Sequence, residues 1–128
     1  MEANKVVIHL KDGTVKKGNT SDFLPNKKSF HLNLVDGGVE TIDVDTMKAL
    51  FFVKDYEGNK DHKRDYSDVI AGGGKKVEVS FYDGETIIGY VLGYSPERQG
   101  FIMTPADVSG NNERIFVVQT AIKQVTFL

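Results

Sequence analysis

The sequence contains no cysteine, which removes a disulfide framework, a thiolate nucleophile, an iron–sulfur cluster and a cysteine-based zinc site in one stroke. No apolar run approaches the ~18 residues that a membrane span needs. The opening residues Met1-Glu2-Ala3-Asn4-Lys5 lack the basic and apolar regions of a signal peptide. The expectation is a soluble cytoplasmic protein with no membrane partner. Positive charge is also scarce, since 16 basic residues face 18 acidic ones for a net of −2, without the field that non-specific nucleic-acid binders use. What remains is a chain of 128 residues and 40% hydrophobic content, enough for one medium domain or two very small ones.

The β-branched residues number 31, whereas leucine and alanine together number only 12, a balance that favours strands over helices. Alternation agrees: Val6, Ile8 and Leu10 interleave with Lys5, Val7, His9 and Lys11, as Val77, Val79 and Phe81 do with Glu78, Ser80 and Tyr82. Both runs end in Asp-Gly, at Asp12-Gly13 and Asp83-Gly84, a strong hairpin signal because the pair tolerates positive φ.

These two hairpins belong to a longer internal repeat. At an offset of 71 residues, Lys5 meets Lys76, Val6 meets Val77, Gly18 meets Gly89, Pro25 meets Pro96 and Phe30 meets Phe101, with Phe23 and Tyr94 matched as aromatics. After a small length change, Glu40–Val44 aligns with Glu113–Val117, and Lys48–Val53 with Lys123–Leu128. We read a tandem duplication: copy one over residues 1–53, a charged, glycine-rich linker over 54–75, and copy two over 76–128. Strands are expected near 5–11, 14–22, 29–35, 39–45 and 49–53, and again near 76–82, 85–94, 100–104, 113–118 and 123–128. A single helical turn is expected before the last strand of each copy. In the linker, Tyr66, Val69 and Ile70 have the spacing of a short helix.

Five strands in a meander with one turn before the last resemble an SH3-like small barrel. The expected fold class is therefore all-β, two tandem five-stranded SH3-like (Sm-like) small barrels, closed so that few edges stay open. Copy one carries the closer likeness: Val6 to Gly13, then Gly18, Phe23, the strand Phe30 to Leu34, and Asp36-Gly37 resemble the first motif of Sm and Sm-like proteins. That family implies RNA binding by a ring of subunits. Leu24 stands where the family has an Asp, and the Arg-Gly pair of its second motif is absent from both fourth strands, so the resemblance implies the fold rather than the RNA pocket. As a whole the chain also resembles an uncharacterised bacterial family of tandem small barrels.

No catalytic pattern stands out. Gly72-Gly73-Gly74-Lys75 lacks the spacing, the following Ser or Thr and the helix of a phosphate-binding loop. His9, His31 and His62 have no second ligand at metal-binding spacing, and Asp43 and Asp45 read as a solvated strand face. No cofactor and no metal are expected. Lys16, Lys17, Lys27 and Lys28, with Phe23 and Phe30 interleaved, are the candidate RNA contacts. Copy one nevertheless sums to zero charge, and its phenylalanines sit where copy two also places aromatics, as a core requires.

The copies differ in one direction. Copy two has Ile87 and Ile88 where copy one has Lys16 and Lys17, and Phe116 and Val118 where the alignment places Asp43 and Asp45. If Ile115 and Val117 face inward, Phe116 and Val118 face outward. Ile87, Ile88, Tyr90, Phe116 and Val118 thus form a candidate protein-contact patch, covered by the linker, by the sister copy or by a second chain. The expected function is a non-enzymatic binding or assembly module acting through protein contacts, with a protein partner or self-association through copy two. An Sm-like RNA-binding protein is the alternative.

Overall fold

The computed structural model describes residues 4–54, 74–92, 97–106 and 112–128. The linker helix at Tyr66, Val69 and Ile70, together with His62, Tyr94 and Pro96, lies outside the described residues. Ten strands follow in order: β1 (Asn4–Leu10), β2 (Val15–Thr20), β3 (Ser29–Leu34), β4 (Val39–Asp43), β5 (Met47–Val53), β6 (Lys75–Phe81), β7 (Thr86–Val91), β8 (Gly100–Pro105), β9 (Asn112–Val118) and β10 (Ile122–Phe127). Short 3₁₀ turns at Val44–Thr46 and Gln119–Ala121 precede β5 and β10. Among the described residues no helix is long and apolar enough to cross a membrane.

Local chemistry accounts for the hairpins. Gly13 and Gly84 adopt φ of +92° and +93°, and the carboxylates of Asp12 and Asp83 accept hydrogen bonds from the backbone N–H of Thr14 and Glu85, each at 2.9 Å. Gly18 and Gly89 are required for a different reason: a Cβ there would fall on the carbonyl oxygen of Asn33 or Thr104 in the neighbouring strand.

The repeat is visible in the backbone. Val6 lies opposite Gly18 and Val77 opposite Gly89, and Gly18 opposite Leu34 as Gly89 is opposite Pro105, all at the offset of 71. Beyond the third strand of each half the offset is 75. Val44 donates its N–H to Lys28 O as Gln119 does to Gln99 O, and Thr46 O accepts from Lys11 as Ala121 O does from Tyr82. Glu40–Val44 therefore corresponds to 115–119, two residues beyond Glu113–Val117. The turn's hydrogen bonds fix the register and the matching glutamates do not. The counterparts of Phe116 and Val118 are thus Thr41 and Asp43, with in–out parity unchanged. Asp45 lies in the turn, past the end of β4.

The expected closure of each copy into its own barrel is corrected by the strand order, β10-β6-β7-β8-β9-β5-β1-β2-β3-β4, a single open antiparallel sheet. Each half keeps the same internal order, but β5 pairs with β9 of the other half instead of closing on β4. Cores form on both sides of this central ribbon. One gathers Val6, Ile8, Phe30, Leu32, Ile42 and Leu50; the other gathers Val77, Val79, Phe81, Met103, Ile115 and Val117.

Candidate functional site

The seam between β5 and β9 is where the halves exchange side chains. Alternation along β5 sends Leu50 and Phe52 into the first core and Ala49, Phe51 and Val53 into the second. Along β9, Ile115 and Val117 enter the second core, while Phe116 and Val118 cross into the first. Burying each of the valine, leucine, isoleucine and phenylalanine side chains contributes about 1.5–3 kcal/mol, so each half is completed by residues of the other. Phe23 packs its ring 5.0 Å from that of Phe116, and the guanidinium of Arg114 lies 4.2 Å over Phe52.

Polar contacts frame the seam. Lys48, on β5, is buried to 7% exposure, with its ammonium 2.7 Å from Asp83, in hydrogen-bond contact with Glu85 and 4.7 Å over the Phe81 ring. Burial pulls the Lys48 pKa down, but the hydrogen bonds and charges of Asp83 and Glu85 outweigh it and hold it above the ordinary 10.5. The Lys48 hydrogen bond, followed by that from the Glu85 N–H, holds the Asp83 carboxyl below its usual value. Lys11 Nζ donates to Thr120 Oγ1 at 2.5 Å, and Gln99 Nε2 donates to the carbonyls of Pro25 and Lys27 at 2.7 and 2.6 Å. The His9 ring packs against Phe51 in a tilted arrangement, centroids 4.8 Å apart, and burial lowers its pKa below 6.5. Sequence reasoning missed Lys48; the available signal was a lone charge at the head of the apolar run Ala49-Leu50-Phe51-Phe52-Val53.

The predicted contact patch is dispersed. Phe116 and Val118 are wholly buried in the first core, so their cover comes from within the chain. Tyr90 is buried, Ile87 is half-buried against the second core, and Ile88 is half-buried. The predicted lysines are also apart. Lys16 pairs with Glu40 at 2.9 Å, Lys17 is exposed, and Lys27 donates to the Asp22 carbonyl at 3.2 Å. Lys28 joins Arg98, Asn26, Tyr90 and Gln99 around a cleft of about 840 Å³ between the halves, whose lining includes no carboxylate among the described residues. Gln99 Oε1 is buried there without a hydrogen-bond partner among the described residues.

His31 Nδ1 lies 2.6 Å from Asp22, and the backbone N–H of His31 donates to the same carboxylate at 3.0 Å. The side-chain bond first and then the backbone bond draw the Asp22 pKa down to about 2. Among the described residues no group of three or more metal-ligating side chains comes together.

Strands β4 and β10 are the outer edges of the sheet. Their counterparts at the seam, β9 and β5, have both sides paired, and β5 is buried along its whole length. On the outer edges Val39 and Thr41 on β4, and Thr126 and Phe127 on β10, are exposed; of their seam counterparts Phe116, Phe51 and Phe52 are buried and Arg114 is exposed. A model for a family of unknown function matches residues 2–128. No curated protein and no solved structure matches the chain.

Proposed function

We propose, for a chain that belongs to the family of unknown function DUF6982, a non-enzymatic role as a binding or assembly module whose contacts are made by strand addition at the outer sheet edges. The halves are read as two SH3-like small barrels, over residues 1–53 and 76–128, that share a wall instead of closing separately. The observation that carries this reading is the seam: here two five-strand halves associate by laying one strand against another and exchanging core side chains across it. Two further edges of the same construction are open at β4 and β10. An open edge supplies backbone donors and acceptors for affinity and alternate side chains for selectivity.

One observation favours the RNA alternative. Lys28 and Arg98 flank the cleft beside Tyr90, with no carboxylate among the described lining residues, a combination suited to phosphate contact and base stacking.

The test pairs two measurements. The wild-type chain captures its protein partner, and Val39→Asp on β4 or Phe127→Asp on β10 abolishes capture; capture untouched by both variants overturns the edge reading. Filter binding of single-stranded RNA at two salt concentrations gives no salt-steep retention. Retention that falls steeply with salt and disappears in Lys28→Glu or Arg98→Glu replaces this reading with the RNA one.

A further inference from the structure

Resting on the edge reading above, we infer that the partner is a second copy of this chain, docked head to tail so that β10 of one chain lies along β4 of the next.

The argument comes from the repeat. Because hydrogen bonds recur at an offset of 71 through the third strand of each half and 75 beyond it, every contact of the seam has a defined counterpart in a second joint between chains. The seam places Arg114 opposite Phe52; the counterpart places Val39 of the next chain opposite Phe127. Val39 is 65% exposed and Phe127, with the Lys75 ammonium 5.8 Å over its ring, is 51% exposed, two apolar side chains on the two edges that the joint would bring together. The ion pair of Lys48 with Asp83 becomes Lys123 with Asp12 of the next chain. The bond from Lys11 to Thr120 becomes one from the hydroxyl of Tyr82, 72% exposed, to the carboxylate of Asp45 of the next chain. The donation from Gln99 to the Lys27 carbonyl becomes one from the ammonium of Lys28 of the next chain to the Arg98 carbonyl.

The Lys–Asp pair keeps its identities and the other three pairs change theirs, yet each pair is complementary: apolar with apolar, cation with anion, donor with acceptor. The acidic and Lys28 members all lie on the β4 side, while Lys123, Tyr82 and Phe127 all lie on the β10 side.

The second joint is more polar than the seam. Thr41 and Asp43 stand where Phe116 and Val118 fill a core, and Gln124 and Thr126 stand where Ala49 and Phe51 do. It is therefore a reversible contact, formed and broken with concentration, whereas the seam is permanent. It is also heterologous. A chain that has used its β10 edge still presents β4, so association continues past two chains.

Sedimentation velocity on the full chain tests this. The wild type shows a weight-average mass that climbs with concentration beyond twice 14.2 kDa. Phe127→Asp and Val39→Asp, both at exposed positions and checked for unchanged circular dichroism and melting, each stay monomeric. Mixed in equal amounts they give a species of two chains and no larger, because the first variant keeps β4 intact and the second keeps β10. A single monomer mass for the wild type at every concentration overturns the proposal, as does association that both variants retain or a mixture that stays monomeric. If the wild type is monomeric while either variant loses capture of another protein, self-association falls and the edge reading stands; if neither occurs, both fall.

Discussion

Leu50 and Phe116 stand opposite one another on β5 and β9, and both point into the core of the first half although they come from different halves of the chain. The consequence is that neither half has a complete core alone. Truncating Phe116 to Ala removes a fully buried ring and leaves a cavity, at a cost of about 3–5 kcal/mol, although the residue belongs to the second half of the sequence. Chemical denaturation followed by circular dichroism should give one cooperative transition for the wild type and a single transition at lower denaturant for Phe116→Ala. Residues 1–53 alone should show no cooperative unfolding, since they lack Phe116 and Val118 and expose Phe51 and Val53.

Lys48 makes an asymmetric prediction. Its ammonium is the buried member of the cluster, while Asp83 and Glu85 keep about half of their side-chain surface in water. Removing the lysine as Lys48→Met leaves two solvated carboxylates and retains the apolar stem, so the change in stability should stay within about 1 kcal/mol. The double change Asp83→Asn with Glu85→Gln leaves a buried ammonium without a counter-charge and should cost about 1–3 kcal/mol, a range reduced because the carboxylates are partly screened. Equal losses in denaturation midpoint would mean that Lys48 acts through packing.

The ten strands were legible because alternation and Asp-Gly turns are local signals, and Gly18 with Gly89 marked the close approaches in both halves. The seam was not legible from the same signals. Met47–Val53 is apolar on both faces apart from Lys48, a pattern for a strand covered on two sides, but periodicity does not say which strand supplies the second cover. The register of β9 was misread by two residues because Glu40 and Glu113 match by identity, whereas the bonds of Val44 to Lys28 and of Gln119 to Gln99 set the true alignment. Phe116 and Val118 were correctly placed on the outward face of their own half. What they cover could be known only from the partner strand.

His9 ties the seam to pH. Burial against Phe51 favours the neutral imidazole and lowers its pKa below 6.5, so its contribution is complete above 6.5 and is lost as pH falls through the lowered value. Wild-type melting temperature should decline between about pH 7 and 5, and His9→Gln should flatten that decline. The carboxylates with lowered pKa values, Asp12, Asp22 and Asp83, titrate below 3.8 and lie outside this window. A slope identical in both proteins would assign the pH response elsewhere.

The pairing of Asp22 with His31 belongs to the first half alone, since the offset of 71 puts Gly93 and Ile102 at the matching positions. Asp22 closes the β2–β3 connection by accepting from both the ring and the backbone N–H of His31, and these bonds bring its pKa from 3.8 to about 2. A depressed carboxylate stabilises the fold above its unfolded value and loses that contribution as pH falls through the folded one. The Asp22→Asn variant should therefore be less stable than wild type at pH 7, and the gap should narrow from about pH 4 downward, closing near pH 2. Its size at neutral pH should be near 1 kcal/mol, because the Asp22 side chain keeps 34% of its surface and the field is partly screened. Parallel denaturation curves at several pH values measure the gap; no gap at pH 7 would show that Asn preserves the bonds and the charge contributes nothing, and a gap constant down to pH 2 would show a loss independent of the charge.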